Sequence, residues 1–298
     1  MKKLLFLLVS VLLLPALHAE EAYVKEIQQW RDQRTKNLTS EDGWLTLVGL
    51  YWLKEGENKM GSDPSNPILL PATKAPKSAG IIHLNKGKTR LDVLPNVPIQ
   101  SGGKPVTSLE LKADTSGEPT VLTLGSLSLF IIERMGRYGV RIKDTENPDR
   151  KNFAGLQYFA VDTKWRISAK FEAHKPSKSI PILNIVGFME DQPSPGALAF
   201  QSGGKTFRLD ALKGGDSGEL FVIFSDETSG KETYGAGRYL YTEAPGPDNH
   251  VVLDFNRAYN PPCAFTLFAT CPLPPRQNRL ALRVEAGEKS YSGGSQVH

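Results

Sequence analysis

The feature that most constrains this chain is a run of short segments in which apolar and polar residues alternate. Residues 165–173 read W-R-I-S-A-K-F-E-A, with an apolar side chain at every second position. A period of two places the apolar side chains on one face of a β-strand and the polar ones on the other. Hairpin signals separate further segments, N-K-G at 85–87 and S-G-G-K at 202–205. Short strands at this spacing predict a mainly β fold, an antiparallel sandwich or barrel.

One helix precedes the strands, and one break divides them. Apolar residues recur at helical spacing between Glu20 and Leu38. The strand pattern stops at residues 144–152, which read D-T-E-N-P-D-R-K-N. We therefore predict two β subdomains, residues 20–150 with the helix and residues 151–288, followed by a flexible tail at 289–298.

Residues 1–19 have the pattern of a secretory signal peptide. Lys2 and Lys3 precede an apolar run that reaches Leu14, and the small residue Ala19 closes the segment. The run is shorter than the ~20 apolar residues that span a bilayer as a helix. We predict export to the periplasm or beyond, and no integral membrane segment once the leader is removed.

The charge pattern and the missing motifs exclude several classes of partner. The 36 basic and 32 acidic residues are interspersed, with no basic run of the kind that contacts nucleic acid or a membrane surface. The histidines after the leader are not paired at metal-ligand spacing, and no dinucleotide, phosphate-loop or nucleophile-elbow motif occurs. We therefore expect no nucleic acid partner, no metal and no cofactor. The oligomeric state is left open.

Residues 226–288 are dense in glycines and polar side chains that could form a binding site. If 234–241 is a strand, Tyr234 and Arg238 share one face, and Gly235 and Gly237 lie on the other. Glycine lets another group approach the backbone closely. An arginine among tyrosines has the composition of a carboxylate clamp. Sheet packing explains the glycines equally well, and a structural ion pair with a nearby carboxylate explains the arginine, so both interpretations stay open.

A second polar group follows in the same stretch. Asp254 and Asn256 flank Phe255 and would point the same way on a strand, and Asn260 precedes two prolines. These side chains could orient a ligand, or they could brace a turn by bonding to nearby backbone groups. The candidate ligand-binding residues are Tyr234, Arg238, Tyr239, Asp254, Asn256 and Asn260.

The two cysteines, Cys263 and Cys271, lie beside proline-rich turns. In an exported protein a single pair predicts a disulfide. Closing this small loop would contribute roughly 2–3 kcal/mol to stability. A redox pair is usually separated by two residues, and a cysteine nucleophile needs a histidine, for which His250 is the nearest in sequence. A structural disulfide is therefore favoured over either functional role.

Several blocks of this sequence resemble domain-of-unknown-function family 1684. They are T-Y-G-A-G-R-Y-L, L-D-F-N-R-A-Y-N-P-P-C-A-F and C-P-L-P-P-x-x-N-R-L in the stretch above, and G-W-L-T-L-V-G-L-Y-W-L and R-Y-G-V-R-I-K-D nearer the N-terminus. The resemblance covers nearly all of the chain after the leader. The family has no established activity, so the resemblance implies none.

The strand pattern up to Arg134 also faintly resembles a forkhead-associated sandwich. Phosphothreonine readers of that family need an arginine after a glycine and a Ser-x-x-His motif. Here Ser62 follows Gly61, and no serine stands three residues before His83. The resemblance implies at most the fold, and not phosphopeptide binding.

The leading prediction is an exported cell-envelope protein that binds a small ligand carrying a carboxylate or another anion. The alternative is a hydrolase in which Asp254 or Glu232 acts as general base and Arg238 stabilises developing negative charge. A third hypothesis is a structural envelope protein without a ligand. The sequence leaves open whether the protein is an enzyme.

Overall fold

The computed structural model describes residues 2–293, with side chains from His18 onward. Of the predicted flexible tail, residues 294–298 lie outside the described residues, as do the side chains of most of the predicted signal peptide. Two units are present. Unit 1 contains the chain up to Asn37, Gly155–Ala264 and Thr270–Ser292, and unit 2 contains Leu38–Ala154 and Phe265–Ala269.

Unit 2 is built from two sheets whose strands are antiparallel, apart from one short parallel pair. The first sheet has, in spatial order, β1 (Leu47–Trp52), β11 (Arg137–Asp144), β10 (Leu127–Arg134), β9 (Leu122–Leu124), β6 (Gln100–Ser101) and β7 (Lys104–Pro105). The second has β3 (Ile68–Leu69), parallel to β2 (Gly56–Gly61), then β4 (Gly80–Asn85), β5 (Lys88–Val93) and β8 (Ser108–Leu111). A short helix, α2 (Pro148–Lys151), follows β11.

The predicted N-K-G hairpin is confirmed as the turn between β4 and β5. Asn85 pairs with Lys88, and Lys86 and Gly87 both adopt positive φ, 47° and 82°. Two successive residues with positive φ match the right-handed twist of the flanking strands. The alternation along these strands buries Ile82 and other apolar residues in one core.

Unit 1 contains a single six-stranded antiparallel sheet. Its strands are, in spatial order, β16 (Arg238–Thr242), β15 (Leu220–Phe224), β14 (Lys205–Lys213), β13 (Met189–Ser202), β12 (Arg166–Leu183) and β17 (His250–Asp254). Phe255 is fully buried at the centre of its core, where its ring lies 5.3 Å from Phe224, 5.6 Å from Phe200 and 6.0 Å from Trp165, all edge-on. The fold is mainly antiparallel β with an N-terminal helix, as predicted.

Helix α1 (Lys2–Thr39) includes the helix predicted from Glu20 to Leu38. It was predicted to belong with residues 20–150, but its residues up to Asn37 belong to unit 1. The reason is a set of hydrogen bonds to the second half of the chain, including Tyr23 to Asp254 and Arg34 to Glu288. Within the described residues no helix combines the length and the apolarity needed to cross a bilayer.

Two local expectations about residues 226–288 differ from the structure. The strand assumed from Tyr234 begins only at Arg238, because Gly237 has a φ of 91° and closes a turn on Tyr234. The strand assumed to carry Asp254 and Asn256 on one face also stops early. β17 ends at Asp254, whose side chain caps a short 3-10 helix.

The 3-10 helices of the described residues are Trp44–Thr46, Asp114–Ser116, Thr163–Trp165, Phe255–Arg257, Pro262–Ala264 and Arg276–Asn278.

Candidate functional site

Arg238 is enclosed by Asp226 and by residues 284–288, which we call the C-terminal segment of unit 1. Its guanidinium donates to the carbonyl of Val284 at 3.0 Å and to that of Ala286, and it pairs with the Asp226 carboxylate at 3.3 Å. Asp226 also accepts the N–H of Val284 at 2.7 Å. The side chain is 1% exposed, and burial lowers the pKa of Arg238 to about 10 against the opposing effect of Asp226. This geometry gives Arg238 a bracing role, and its predicted ligand contact stays a prediction.

Tyr234 and Tyr239 bond to the segment that holds the cysteines. The Tyr234 hydroxyl donates to the carbonyl of Cys263 at 3.1 Å, and the Tyr239 hydroxyl donates to that of Pro272 at 2.8 Å. Burial raises the pKa of both phenols. Each hydroxyl is therefore committed to a backbone carbonyl, and both side chains are buried.

Cys263 and Cys271 are buried free thiols in contact with each other. The backbone N–H of Cys263 donates to the sulfur of Cys271 at 3.1 Å. Burial raises the pKa of the Cys271 thiol, whereas a hydrogen bond from Cys271 lowers the pKa of Cys263. The predicted disulfide between them stays a prediction.

Asp254 and Asn256 hold helix α1 against the end of β17. The Asp254 carboxylate accepts the Tyr23 hydroxyl at 2.8 Å and the N–H of Asn256 at 3.1 Å. The Asn256 amide donates to Tyr23 and to the carbonyl of Asp162, both at 2.9 Å, and accepts the N–H of Asp162 at 3.1 Å. Burial, followed by the Asp254 hydrogen bond, raises the pKa of Tyr23.

The residues of the hydrolase alternative lie in separate networks. Asp254 bonds to Tyr23, as described above. Glu232 pairs with Arg283, and both side chains are exposed. Because Arg238 is committed to Asp226 and to backbone carbonyls, the structure does not bring these groups together as a general base with an anion-stabilising partner.

Asn260, the last of the predicted residues, belongs to a different group, which we call the Arg31 cluster: Arg31, Arg34, Tyr158, Tyr259, Asn260 and Glu288. The fully buried Glu288 carboxylate accepts from Arg34 Nε at 2.9 Å and from the N–H of Asn260 at 2.8 Å. Arg34 also donates to the carbonyl of Asn260 at 2.9 Å, and its guanidinium lies 4.7 Å from the ring centre of Tyr259. Arg34 therefore has a complete set of partners.

Arg31 is the cation of this cluster that has no counter-ion. Its guanidinium lies 4.2 Å from the ring centre of Tyr158 and donates to the carbonyl of Phe159 at 2.9 Å. No described carboxylate lies within 4.0 Å of its nitrogens, and Glu288, which acts on Arg31 at longer range, is bonded to Arg34. Burial lowers the pKa of Arg31 because the charged form loses hydration.

The cluster also concentrates buried polar atoms that have no hydrogen-bond partner. They are Arg31 Nε and Asn260 Oδ1, whereas the Tyr158 hydroxyl interacts with the Glu288 carboxylate. Leaving such an atom unpaired costs about 1–3 kcal/mol. Arg238 Nε is unpaired as well, but that guanidinium has a carboxylate and carbonyls on its other nitrogens. One unpaired donor and one unpaired acceptor, beside a cation without a close counter-ion, make the Arg31 cluster the candidate site.

Sequence reasoning missed Arg31, Arg34, Tyr158 and Glu288. A signal for the two arginines was present: Tyr23, Ile27, Arg31 and Arg34 recur at spacings of four, four and three on one face of the helix. Tyr23 and Ile27 on that face are buried. An arginine on the buried stripe of an amphipathic helix is unusual enough to indicate a specific partner. Nothing in the local sequence marks Tyr158 or Glu288.

Unit 2 has a cavity of about 520 Å³ lined in part by Glu55, His83 and Arg90. Two of its lining side chains, His83 and Arg90, lie 3.0 Å and 2.7 Å from the carboxylate of Asp92. Among the described residues no group of three or more acidic, histidine or cysteine side chains could hold a metal ion. The cavity therefore carries weaker indications of a ligand than the Arg31 cluster.

Comparisons with known proteins extend these observations. A family model described as a protein of unknown function, DUF1684, matches residues 151–289. The solution structure of an uncharacterized protein from Haloarcula marismortui is 34% identical, covering 47% of this chain and 78% of that chain, with a TM-score of 0.40. No curated protein matches the chain.

Two structures of FHA domains also overlap part of the chain. One comes from a study of phosphothreonine-dependent FHA interactions and the other is the FHA domain of FhaA in a complex. Each is 18% identical with a TM-score of 0.23, covering 33% and 31% of this chain and 96% of each FHA chain. Overlaps with scores this low do not support a shared fold or a shared ligand.

Proposed function

Since this chain belongs to the DUF1684 family, whose description assigns no activity, we propose that it binds a small carboxylate-bearing or otherwise anionic ligand at the Arg31 cluster. The observation that carries the proposal is the half-buried guanidinium of Arg31, which has no counter-ion. The proposal keeps the ligand class expected from the sequence and moves the main contact from Arg238 to Arg31. Asn260 is common to both sites.

The chemistry of the cluster suits an anion. A guanidinium offers a planar fork of donors that matches a carboxylate, and partial burial strengthens the attraction because less water screens it. The unpaired Arg31 Nε is a further donor. Glu288 is bonded to Arg34 and acts on Arg31 only at longer range, so Arg31 can still pair with an anionic ligand.

The expected consequence of removing this charge is a loss of anion-dependent stabilisation. Citrate and phosphate should raise the melting temperature of the wild-type protein, because a ligand at 100 times its Kd stabilises by about 2.7 kcal/mol. Arg31→Ala should weaken binding at least about tenfold, which corresponds to ~1.4 kcal/mol. The affinity of Arg31→Lys for the anion should fall between those of the wild type and of Arg31→Ala, since lysine keeps the charge but lacks the planar fork of donors. Thermal unfolding with increasing anion concentration measures all three.

A matched control removes a positive charge elsewhere in unit 1. Arg208→Ala breaks an exposed pair with Glu172 and should leave the response to anions unchanged. If Arg31→Ala and the wild type respond equally, the Arg31 cluster is not the anion site. If no anion stabilises the wild type, the remaining hypothesis is a structural envelope protein without a ligand.

We also propose that the protein is exported and that its cysteines pair there. The support is the pattern of residues 1–19 and the contact between the two buried thiols. The intact mass of protein from the envelope fraction should correspond to a chain that begins near Glu20 and lacks two hydrogen atoms. Cytosolic protein that retains Met1 would contradict export, and alkylation of both cysteines in the unreduced, denatured chain would contradict the disulfide.

A further inference from the structure

The cavity of unit 2 is lined by charges of both signs. Its volume of about 520 Å³ lies within the roughly 300–1,000 Å³ of pockets that hold small molecules. Lys88 and Arg90 give its lining two positive charges, and Glu55 and Glu110 give it two negative charges. A ligand with a single charge would be attracted by two of these groups and repelled by the other two, whereas a ligand with both charges can pair with each kind.

Two neighbouring strands bring a positive and a negative charge side by side in this lining. Arg90 in β5 pairs directly with Glu110 in β8, and Lys88 lies two residues before Arg90 on the same face of the sheet. Lys88 and Glu110 are therefore diagonal neighbours, which in an antiparallel sheet lie about 7–8 Å apart.

These two charges have no ion-pair partner within the part of the chain that the structure describes. No described carboxylate lies within 4.0 Å of the Lys88 ammonium, and no described cation lies within 4.0 Å of the Glu110 carboxylate. Arg90, by contrast, pairs with Asp92 at 2.7 Å, and the Glu55 carboxylate accepts the backbone N–H of Lys86 at 2.7 Å. The side chains of Lys88 and Glu110 are both exposed, so a ligand can reach them from solvent.

From this arrangement we propose a second binding site, for a dipeptide whose ammonium and carboxylate termini are both free. Lys88 pairs with the carboxylate of the ligand, and Glu110 accepts hydrogen bonds from its ammonium. Two residues of extended chain span about 7 Å, which matches the spacing of diagonal neighbours, whereas a single amino acid spans about half of that distance. The site shares no residue with the Arg31 cluster and does not depend on the function proposed above.

The test compares glycylglycine with two blocked forms of it and with glycine. N-acetyl-glycylglycine lacks the ammonium, and glycylglycine amide lacks the carboxylate. Each is titrated into the full chain and followed by NMR at the backbone amides of Gly56, Asn85 and Thr89, which line the cavity, so that binding at Arg31 is not counted. Glycylglycine should bind about tenfold more tightly than either blocked form, and more tightly than glycine.

Each of the two side chains should recognise one end of the ligand. Glu110→Gln should remove the preference for glycylglycine over the N-acetylated form and keep the preference over the amide. Lys88→Met should do the reverse. As matched controls, Lys104→Met and Glu118→Gln remove exposed charges of unit 2 outside the cavity lining and should alter neither preference.

Three results would overturn the site: no saturable shift at the cavity amides, equal affinities of glycylglycine and its blocked forms, or unchanged preferences in both Glu110→Gln and Lys88→Met. Glycine binding as tightly as glycylglycine would overturn the dipeptide and assign the cavity to an amino acid. None of these results depends on whether anions stabilise the wild-type protein through Arg31, so failure here is distinct from failure of the anion site.

Discussion

Replacing Arg238 with alanine should lower the free energy of unfolding of unit 1 by roughly 3–5 kcal/mol. The change leaves the buried Asp226 carboxylate without its cation, and the carbonyls of Val284 and Ala286 lose their donor. A buried charge without a partner is costly because no water replaces the lost contact. Urea unfolding followed by circular dichroism measures the effect, with the two units fitted as separate transitions.

Two further variants separate a broken pair from a lost side chain. Arg238→Met combined with Asp226→Asn removes both charges, and it should be less destabilising than Arg238→Ala because no isolated charge remains. Arg208→Ala, which breaks an exposed pair with Glu172, should change stability by no more than about 1 kcal/mol. An Arg238→Ala variant as stable as the Arg208→Ala variant would refute the bracing role and would favour a ligand contact at Arg238.

Alanine at Gly237 should destabilise the protein by roughly 2–5 kcal/mol. The backbone there has a φ of 91°, and a Cβ atom would lie 2.5 Å from both the Phe224 carbonyl oxygen and Pro274 Cγ. Both the left-handed conformation and the collision with backbone oppose any side chain. Thermal unfolding of Gly237→Ala should show a clearly lower melting temperature.

Gly235 is the matched control, because the sequence could not tell these two glycines apart. A Cβ atom at Gly235 would meet only Gly230, at an ordinary distance of 3.7 Å from its Cα. Gly235→Ala should therefore be neutral, or stabilising by up to about 1 kcal/mol through the reduced freedom of the unfolded chain. Equal effects of the two substitutions would mean that the turn at Gly237 is not formed as described.

The two glycines also show why residue spacing did not predict on which face of the sheet the side chains from Tyr234 to Arg238 lie. Assigning one face to Tyr234 and Arg238 required a continuous strand, and a strand from 234 was as plausible locally as one from 238. The positive φ of Gly237 breaks it. Glycine permits that conformation but does not require it, and in the folded chain Phe224 and Pro274 leave no room for a Cβ atom at this position.

The candidate site was predicted in part. The sequence indicated a braced stretch, an anion-binding chemistry and Asn260, and it allowed for an ion pair of Arg238 with a nearby carboxylate. It could not select Asp226 as that carboxylate, because Glu232 is nearer along the chain and Asp254 was also a candidate. It also could not place Arg31 beside Tyr158 or Arg34 beside Glu288, since these pairs join residues that are more than a hundred positions apart.

The sequence by itself determined most of the local structure of this protein, the strand start near Gly237 excepted. Alternation with a period of two, turn residues at positive φ and one helical stripe set the strands, the hairpins and the helix, because these depend on neighbours a few residues away. Only the tertiary structure decided which charges meet. A counter-ion is chosen by distance in space and by the exclusion of water, and in this protein both follow from helix α1 lying against the C-terminal segment of unit 1.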